Sequence, residues 1–259
     1  MRARPGRPDL SARAARRGGA AVLLAALALA GCARDESAEQ AAQVRRRAAE
    51  FAESSGQPEV AVQMFANAAA QRPNDPEAQA AYARALARAG NPQMADQVVA
   101  QAIAQHPRDP SLLRARAQVK LMAGQPEQAL ADYDALLGSR SSDVVLLNGR
   151  GVALDMLGRH AEAEVAYNQA RRVAPADLRT LNNLAMSLML QGRPAEAVAL
   201  LEGVARAPGA PPRMLVNLAL ASAAIGDRSL AQQLLGSSLP REDLDALLRG
   251  LQTGGPARS

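Results

Sequence analysis

Few residues in this chain carry side chains suited to covalent or acid–base chemistry. Of its 259 residues one is cysteine and two are histidine. His106 stands before Pro107 and His160 falls in a turn between helical stretches, both places for solvated loop histidines. Glu162 and Glu164 read as a solvated helix face. A nucleophile needs a positioned base, and a metal needs converging ligands. No HExxH, glycine-rich phosphate loop, GxSxG or clustered carboxylate set is present. The expectation is a non-enzymatic protein, with no catalytic residue, no metal and no cofactor. Cys32 alone has a setting that suggests chemistry.

That setting is a leader. Residues 1–31 begin with Arg2, Arg4, Arg7, Arg13, Arg16 and Arg17, continue through the apolar run Ala20 to Ala30, and close on small residues. This is the order of an export signal. The run spans about 16 Å as a helix, half a bilayer core, too little for a permanent transmembrane anchor. It ends in Leu29-Ala30-Gly31-Cys32, which resembles the lipobox of bacterial lipoproteins. The resemblance implies a diacylglycerol on the Cys32 thiol, with Cys32 as the new N-terminus. The alternative is ordinary export with cleavage after Ala28-Leu29-Ala30, which leaves an unpaired cysteine. One acyl chain binds membranes marginally, at about 0.8 kcal/mol per buried CH₂, whereas the three chains of a mature lipoprotein hold it. In known lipoproteins an aspartate after the cysteine often signals inner-membrane retention. Here Ala33 follows, which points to the outer membrane, facing the periplasm. Residues 32–41 form the lipidated N-terminus and a short linker, and Ala33 to Gln40 reach about 25 Å at most, so the protein works close to its membrane.

The leader also accounts for the charge. The chain has 30 basic and 25 acidic residues. Six of the arginines and one aspartate, Asp9, lie before Cys32; 30 less six and 25 less one leave 24 of each. A neutral chain with 2% aromatic residues has neither the basic footprint nor the stacking platforms that nucleic acid needs. Nucleic acid is excluded as a partner.

Everything after the linker must be read as elements, and these repeat. Leu181 to Pro208 reads as helix, Gly-Arg-Pro break, helix, with Leu181, Leu184, Ala185, Leu188 and then Ala197, Leu200, Leu201, Val204 at helical spacing. Gly192 recurs as Gly56, Gly90, Gly124, Gly158 and Gly226, and Ala197 as Ala61, Ala95, Ala129, Ala163 and Ala231, each 34 residues apart. A 34-residue helix–turn–helix period is the signature of the tetratricopeptide repeat (TPR). The fold expected is all-α, a TPR superhelical solenoid of six repeats over 42–245: 42–75, 76–109, 110–143, 144–177, 178–211 and 212–245. The first helices carry a small residue at mid-length, Ala49, Ala83, Ala117, Gly151, Ala185 and Ala219. It faces the recurring alanine of the second helix and permits a crossing near 8 Å. Four residues after that alanine comes Phe65, Val99, Tyr133, Tyr167, Leu201 or Leu235. Asp75, Asp109, Asp143 and Asp177 stand at N-cap positions, and prolines open the second helices at 58, 92, 126 and 194.

The ends differ, as arrays require. Arg45 and Gln79 stand where later repeats have leucine, and Leu244, Leu247, Leu248 and Leu251 mark a capping helix, ending over 246–252, before a disordered tail at 253–259. The first helices are expected to line a concave groove. Its N-terminal part presents Arg46, Glu50, Glu53, Glu77, Arg84, Arg88 and Arg114. Its C-terminal part presents Val145, Asn148, Val152, Met156, Asn182, Asn183, Met186, Met189, Asn217 and Leu220. Methionines adapt to an irregular apolar partner, a helix or an extended strand. Asn183 and Asn217 are similar to asparagine ladders by which some TPR proteins bind peptide backbone. Met186 and Met189 serve equally well as packing between repeats.

Two stretches carry a closer resemblance: LNNLAMSLMLQGRPAEAVALLE from Leu181, and APGAPPRMLVNLALASAAIGD over 207–227. They are similar to the TadD family, the TPR lipoproteins of the tight-adherence (Tad, or Flp pilus) system. The resemblance implies an outer-membrane lipoprotein, periplasm-facing and held by the lipid on Cys32. Its partners would be the Tad secretin or other pilus-machine components. A TPR pilotin of another type IV pilus, an outer-membrane assembly scaffold, or an accessory subunit of a periplasmic enzyme would use the same groove. Cys32→Ser is expected to release the protein from membranes; detergent-phase partitioning reads it, and unchanged partitioning would contradict lipidation.

Overall fold

The computed structural model describes residues 42–53, 55–138, 141–207 and 209–235. The leader, Cys32 and the linker to residue 41, like the capping helix and tail expected near the C-terminus, lie outside the described residues. Twelve helices are described and no strand. They are α1 (42–53), α2 (Pro58–Gln71), α3 (Pro76–Arg88), α4 (Pro92–Gln105), α5 (Pro110–Met122), α6 (Pro126–Leu137), α7 (Val144–Met156), α8 (His160–Val173), α9 (Leu178–Leu190), α10 (Pro194–Leu201), α11 (Pro212–Ala224) and α12 (Arg228–Leu235).

The punctuation read from the sequence sets these boundaries. At the end of α9, Gly192 takes φ 73°, which lets its own N–H reach the Met189 carbonyl and the Arg193 N–H reach that of Leu188. Side chains with a Cβ avoid that left-handed conformation. The five equivalent glycines do the same, with φ between 70° and 90°. Asp75, Asp109 and Asp143 each accept two backbone N–H groups at the start of α3, α5 and α7, and Asp177 accepts the Thr180 N–H and hydroxyl at the start of α9. Each cap stabilises its helix by about 0.5–2 kcal/mol. The second helices α2, α4, α6 and α10 have no side-chain cap and begin on proline, whose missing N–H is no loss there.

The chain divides into two compact units, one ending at Arg72 and the other beginning at Pro73. In the first, Ala49 and Ala61 are buried together with Phe65, and Arg45 donates to Gln71 across the hairpin at 3.1 Å. The second unit holds five hairpins, α3/α4 to α11/α12. Each second helix also packs on the next first helix, and consecutive first helices touch one another. The result is a two-layered solenoid, first helices in one layer and second helices in the other. The small residues at the crossings, from Ala83 and Ala95 to Ala219 and Ala231, are all buried, every alanine among them at 0% exposure. A single apolar core runs from Ala117 through Ala221, across four repeats.

Two departures have local causes. Tyr133 and Tyr167 are the bulkiest fully buried side chains, and each needs a glycine opposite. A methyl on Gly149 would land in the Tyr133 ring and one on Gly151 in the Tyr167 ring. The second departure corrects the expected length of α10. It stops at Leu201, and Glu202 to Arg206 continue as turns in which Val204 and Ala205 both donate to the Leu201 carbonyl. Gly203 weakens a helix there by about 1 kcal/mol. Beyond it, Gly209 with φ 82° and Pro211 redirect the chain into α11, which has no side-chain cap.

Gly151→Ala is expected to cost about 1–3 kcal/mol. Gly203→Ala, whose added carbon meets no atom within 4 Å, should stay within about 0.5 kcal/mol of the parent. Urea unfolding of the two variants measures the contrast. A second test concerns Asp109. Burial works against its charge, but the Ser111 hydroxyl and the Leu112 and Ser111 N–H groups outweigh it and hold the carboxyl below its ordinary 3.8. With the folded value depressed, the cap's contribution is complete above the ordinary value and fades as pH falls through the folded one. Asp109→Asn keeps a capping acceptor that does not titrate, so its Tm should fall less than the parent's between neutral pH and about pH 3.

Candidate protein-interaction surface

On a helix, residues four and eight apart share a face. In the first-helix layer this face reads Asn148, Val152, Met156 on α7, then Asn182, Met186, Leu190 on α9, then Val216, Leu220, Ala224 on α11. The three helices lie in sequence, α7 against α9 and α9 against α11, so the residues form one continuous apolar and amide surface. Within it the expected groove residues differ in depth. Met156 stands out at 48% exposure, and Met186, Met189, Val152, Asn183, Asn217 and Leu220 are half-buried. Val152 and Met189 pack against the core, so part of their role is to join repeats.

The asparagines pair with each other. Asn183 donates to Asn148 at 3.1 Å, and Asn217 donates to Asn182 at 2.8 Å. Each bond therefore runs from one repeat to the equivalent partner in the repeat before. Asn148 and Asn182, the acceptors, are buried, which a side-chain amide tolerates only when bonded. An amide has two N–H groups and two acceptor sites; Asn182 also donates to Asn183 at 3.5 Å, so the ladder residues are partly committed to one another, and only Asn183 and Asn217 are more than slightly exposed.

A second polar cluster joins the two layers at α7, α8 and α9 and was not legible as such. Asp155, in the last turn of α7, accepts from Tyr167 Oη of α8 at 2.9 Å and from Ser187 Oγ of α9 at 2.8 Å. Its Oδ1 also lies 2.8 Å from His160 Nδ1. His160 is thus a partly buried member of a network at the start of α8, which corrects its reading as a solvated loop histidine. Glu164 is corrected too: it holds Arg193 of the next repeat, whose guanidinium also pairs with Glu196. Burial, and after it the Asp155 charge, pushes the Tyr167 hydroxyl far above its ordinary value, so it remains a donor. The Ser187 hydroxyl donates to Asp155 and not to the imidazole, so the cluster lacks the hydroxyl-to-base bond of a nucleophilic relay. It is an inter-repeat clasp. Among the described residues no group of three or more His, Cys, Asp or Glu side chains is placed to hold a metal ion, and no helix is long and apolar enough to cross a membrane.

With this geometry in hand, comparisons with known proteins are specific about the fold. Residues 52–119, 114–177 and 165–211 match the tetratricopeptide repeat family. Among solved structures the chain is similar to a tetratricopeptide repeat protein from Parabacteroides merdae ATCC 43184, with TM-score 0.61 and 16% identity over 81% of this chain and 84% of that one. It is similar to PilW, described as a widely conserved type IV pilus biogenesis factor, with TM-score 0.63 and 16% identity over 81% and 99%. It is also similar to pilF of Pseudomonas aeruginosa, with TM-score 0.59 and 16% identity over 83% and 98%. At such identities the likeness is one of fold. No curated protein sequence matches the chain.

The clasp predicts energetic coupling between neighbouring repeats. A double-mutant cycle of Asp155→Ala and Ser187→Ala should return an interaction of about 0.5–3 kcal/mol in urea unfolding. Additive effects would mean that the two side chains act independently.

Proposed function

The chain is a tetratricopeptide repeat protein, and on that premise we propose that it is a non-enzymatic scaffold lipoprotein of Flp (tight-adherence) pilus assembly. In this reading the lipid on Cys32 holds it at the outer membrane, facing the periplasm, and the α7–α11 face takes the secretin or another component of the pilus machine. The observation that carries the reading is the continuous apolar and amide surface at Met156, Met186, Leu190 and Leu220. Monomeric proteins rarely leave such a surface contiguous without a partner. Support for the particular machine comes from the stretches at 181–202 and 207–227 that are similar to the TadD family and from the lipobox-like close of the leader. The fold likeness to PilW and pilF favours one second reading, a pilotin-like factor of another type IV pilus, which would use the same face.

Photo-crosslinking separates these readings. A photoreactive residue at Met156, on the proposed face, is expected to capture the secretin of a Tad machine in intact cells, whereas one at the exposed Val165 of α8, on the other layer, should not. Capture of a type IV pilus secretin would favour the second reading. Equal capture at both positions, or capture of an enzyme alone, would contradict the scaffold assignment. Met156→Asp should weaken capture without loss of helicity, and it is a cleaner probe than Met189→Asp because Met189 also packs on the core.

A further inference from the structure

From α7 onward the structure describes nine arginines, and most of those left unpaired share one edge. Arg150, Arg159 and Arg193 are committed to ion pairs, with Asp134, with Glu162, and with Glu164 and Glu196. Arg228 stands exposed at the start of α12. The other five lie where a second helix hands over to the next first helix. Arg171 and Arg172 are in the last turn of α8 and Arg179 in the first turn of α9. Arg206 is in the turns after α10 and Arg213 in the first turn of α11. All five are exposed.

Four of the five recur at the repeat period: Arg172 and Arg206 are 34 residues apart, and so are Arg179 and Arg213. α8 packs on α9, α9 on α10 and α10 on α11, and α9 touches α11, so the four line one edge of the array at two adjoining junctions. Among the described residues none of their guanidinium groups has an ion-pair or hydrogen-bond partner. Arg171 is set apart from them because it borders a cleft with Glu164 and Glu196. Acids on the same stretch of edge are few. Asp177 commits its carboxylate to the Thr180 N–H and hydroxyl at the start of α9, and Glu202 is exposed four residues before Arg206. Asp143, one repeat earlier, caps α7 and lines a cleft with Arg114. Four arginines less Asp177 and Glu202 leave two positive charges here. Beside Arg172 stands Val173, an apolar side chain at 51% exposure.

We propose that Arg172, Arg179, Arg206 and Arg213 form a surface that lies on anionic phospholipid, so that this edge of the array rests on the membrane. This builds on the membrane anchor of the preceding reading, since an excess of two charges orients a protein already held at a bilayer and does not recruit one from solution. Guanidinium groups bond phosphate oxygens in pairs, and each basic residue near an anionic surface adds to the attraction. An acidic protein would have to match the particular spacing of the four arginines. A fluid sheet of headgroups meets any spacing, which suits a row set by the repeat. Val173 adds an apolar contact at the level of the headgroups. Lying on this edge also frees the docking face. Arg179 stands in the first turn of α9 and Leu190 ends that helix, about 16 Å further along the axis, and α7 ends on Met156. With the arginines on the bilayer, these exposed apolar residues stand away from it, where a partner reaches them.

The test uses the protein with its anchor in vesicles of phosphatidylcholine, made with or without phosphatidylglycerol. The chain has no tryptophan and one cysteine. A single indole is therefore supplied by Val173→Trp, at the proposed contact, or by Ile225→Trp, at the far end of α11 and 46% exposed in the parent. Brominated phosphatidylcholine in the vesicles quenches an indole that touches the bilayer. A protein without acyl groups keeps a free Cys32 thiol, and coupling that thiol to a maleimide lipid supplies the anchor, so a failure of lipidation is told apart from a failure of the surface. Quenching is expected at position 173 in phosphatidylglycerol vesicles, weaker at raised ionic strength and slight at position 225. Arg179→Glu with Arg213→Glu should lower the ratio of docked to undocked protein at least about tenfold with an unchanged melting curve. Should that variant fail to melt cooperatively, Arg179→Gln with Arg213→Gln is read instead, and a loss of quenching is again expected. Equal quenching at the two positions, none at either, quenching indifferent to phosphatidylglycerol, or quenching unaltered by the variant that folds would each overturn the proposal. The last two would leave the arginines to an acidic protein. The Met156 crosslinking outcome is independent of all of these.

Discussion

Two helices can cross at close range only where neither has a side chain in the way. In this protein that condition recurs every 34 residues, with alanine or glycine on both helices of each pair and no measurable exposure at the alanine crossings of the second unit. The close crossing brings the larger residue one turn away, Val99, Tyr133, Tyr167, Leu201 or Leu235, fully into the space between hairpins. It also leaves each second helix with a face for the next first helix. Local packing thus generates the long-range order, and the order in turn aligns the first helices side by side. The face proposed for docking depends on that alignment, because its exposed apolar residues, Met156, Leu190 and Val216, come from three different helices.

The repeats are not copies, and their differences divide the second unit by role. On α3 and α5 the first helices carry five basic residues and one acidic one, and Arg84 is largely buried and bonded to Glu77. Around α7 to α11 it is apolar and amide-rich, and it is cross-braced by the asparagine pairs and by the Asp155 clasp. Polar bonds between repeats resist the independent movement that stacked units otherwise allow. A partner meeting this face finds a surface held in a fixed arrangement and loses less to ordering it. The Tyr133 ring fills the space beside Gly149 between α6 and α7, and the Tyr167 ring the space beside Gly151 between α7 and α8, so close packing braces α7 on both sides.

Much of the fold was legible because it is written in residues whose backbone behaviour is nearly independent of context. Gly192 and its equivalents demand a left-handed turn, the aspartates cap, the prolines begin helices, and the alanines mark crossings. The site was legible only in outline. Met156, Met186 and Asn183 could be placed on one face by spacing alone. Spacing could not show that Asn183 would spend a bond on Asn148, since residues 35 apart meet only once the hairpins stack. The same holds for Asp155, whose partners come from two other helices, α8 and α9, and for His160, which looks like a loop residue until α8 begins on it. The early end of α10 was missed because Val204 and Ala205 keep an apolar pattern while Gly203 and the prolines beyond it decide the backbone. A whole-chain charge count also sums two layers of opposite sign: the first helices of the second unit carry eight basic and two acidic residues, the second helices three basic and seven acidic.

Small-residue crossings carry the order of the array beyond the hairpin in which they sit. Hydrogen exchange of Ala163→Leu in the full chain tests it most directly, since Ala163 is fully buried at the crossing of α7 and α8. Protection should fall in α8, in its partner α7 and in α9 of the next repeat, which packs on α8. Protection lost in α8 alone, or in none of the three, would contradict it.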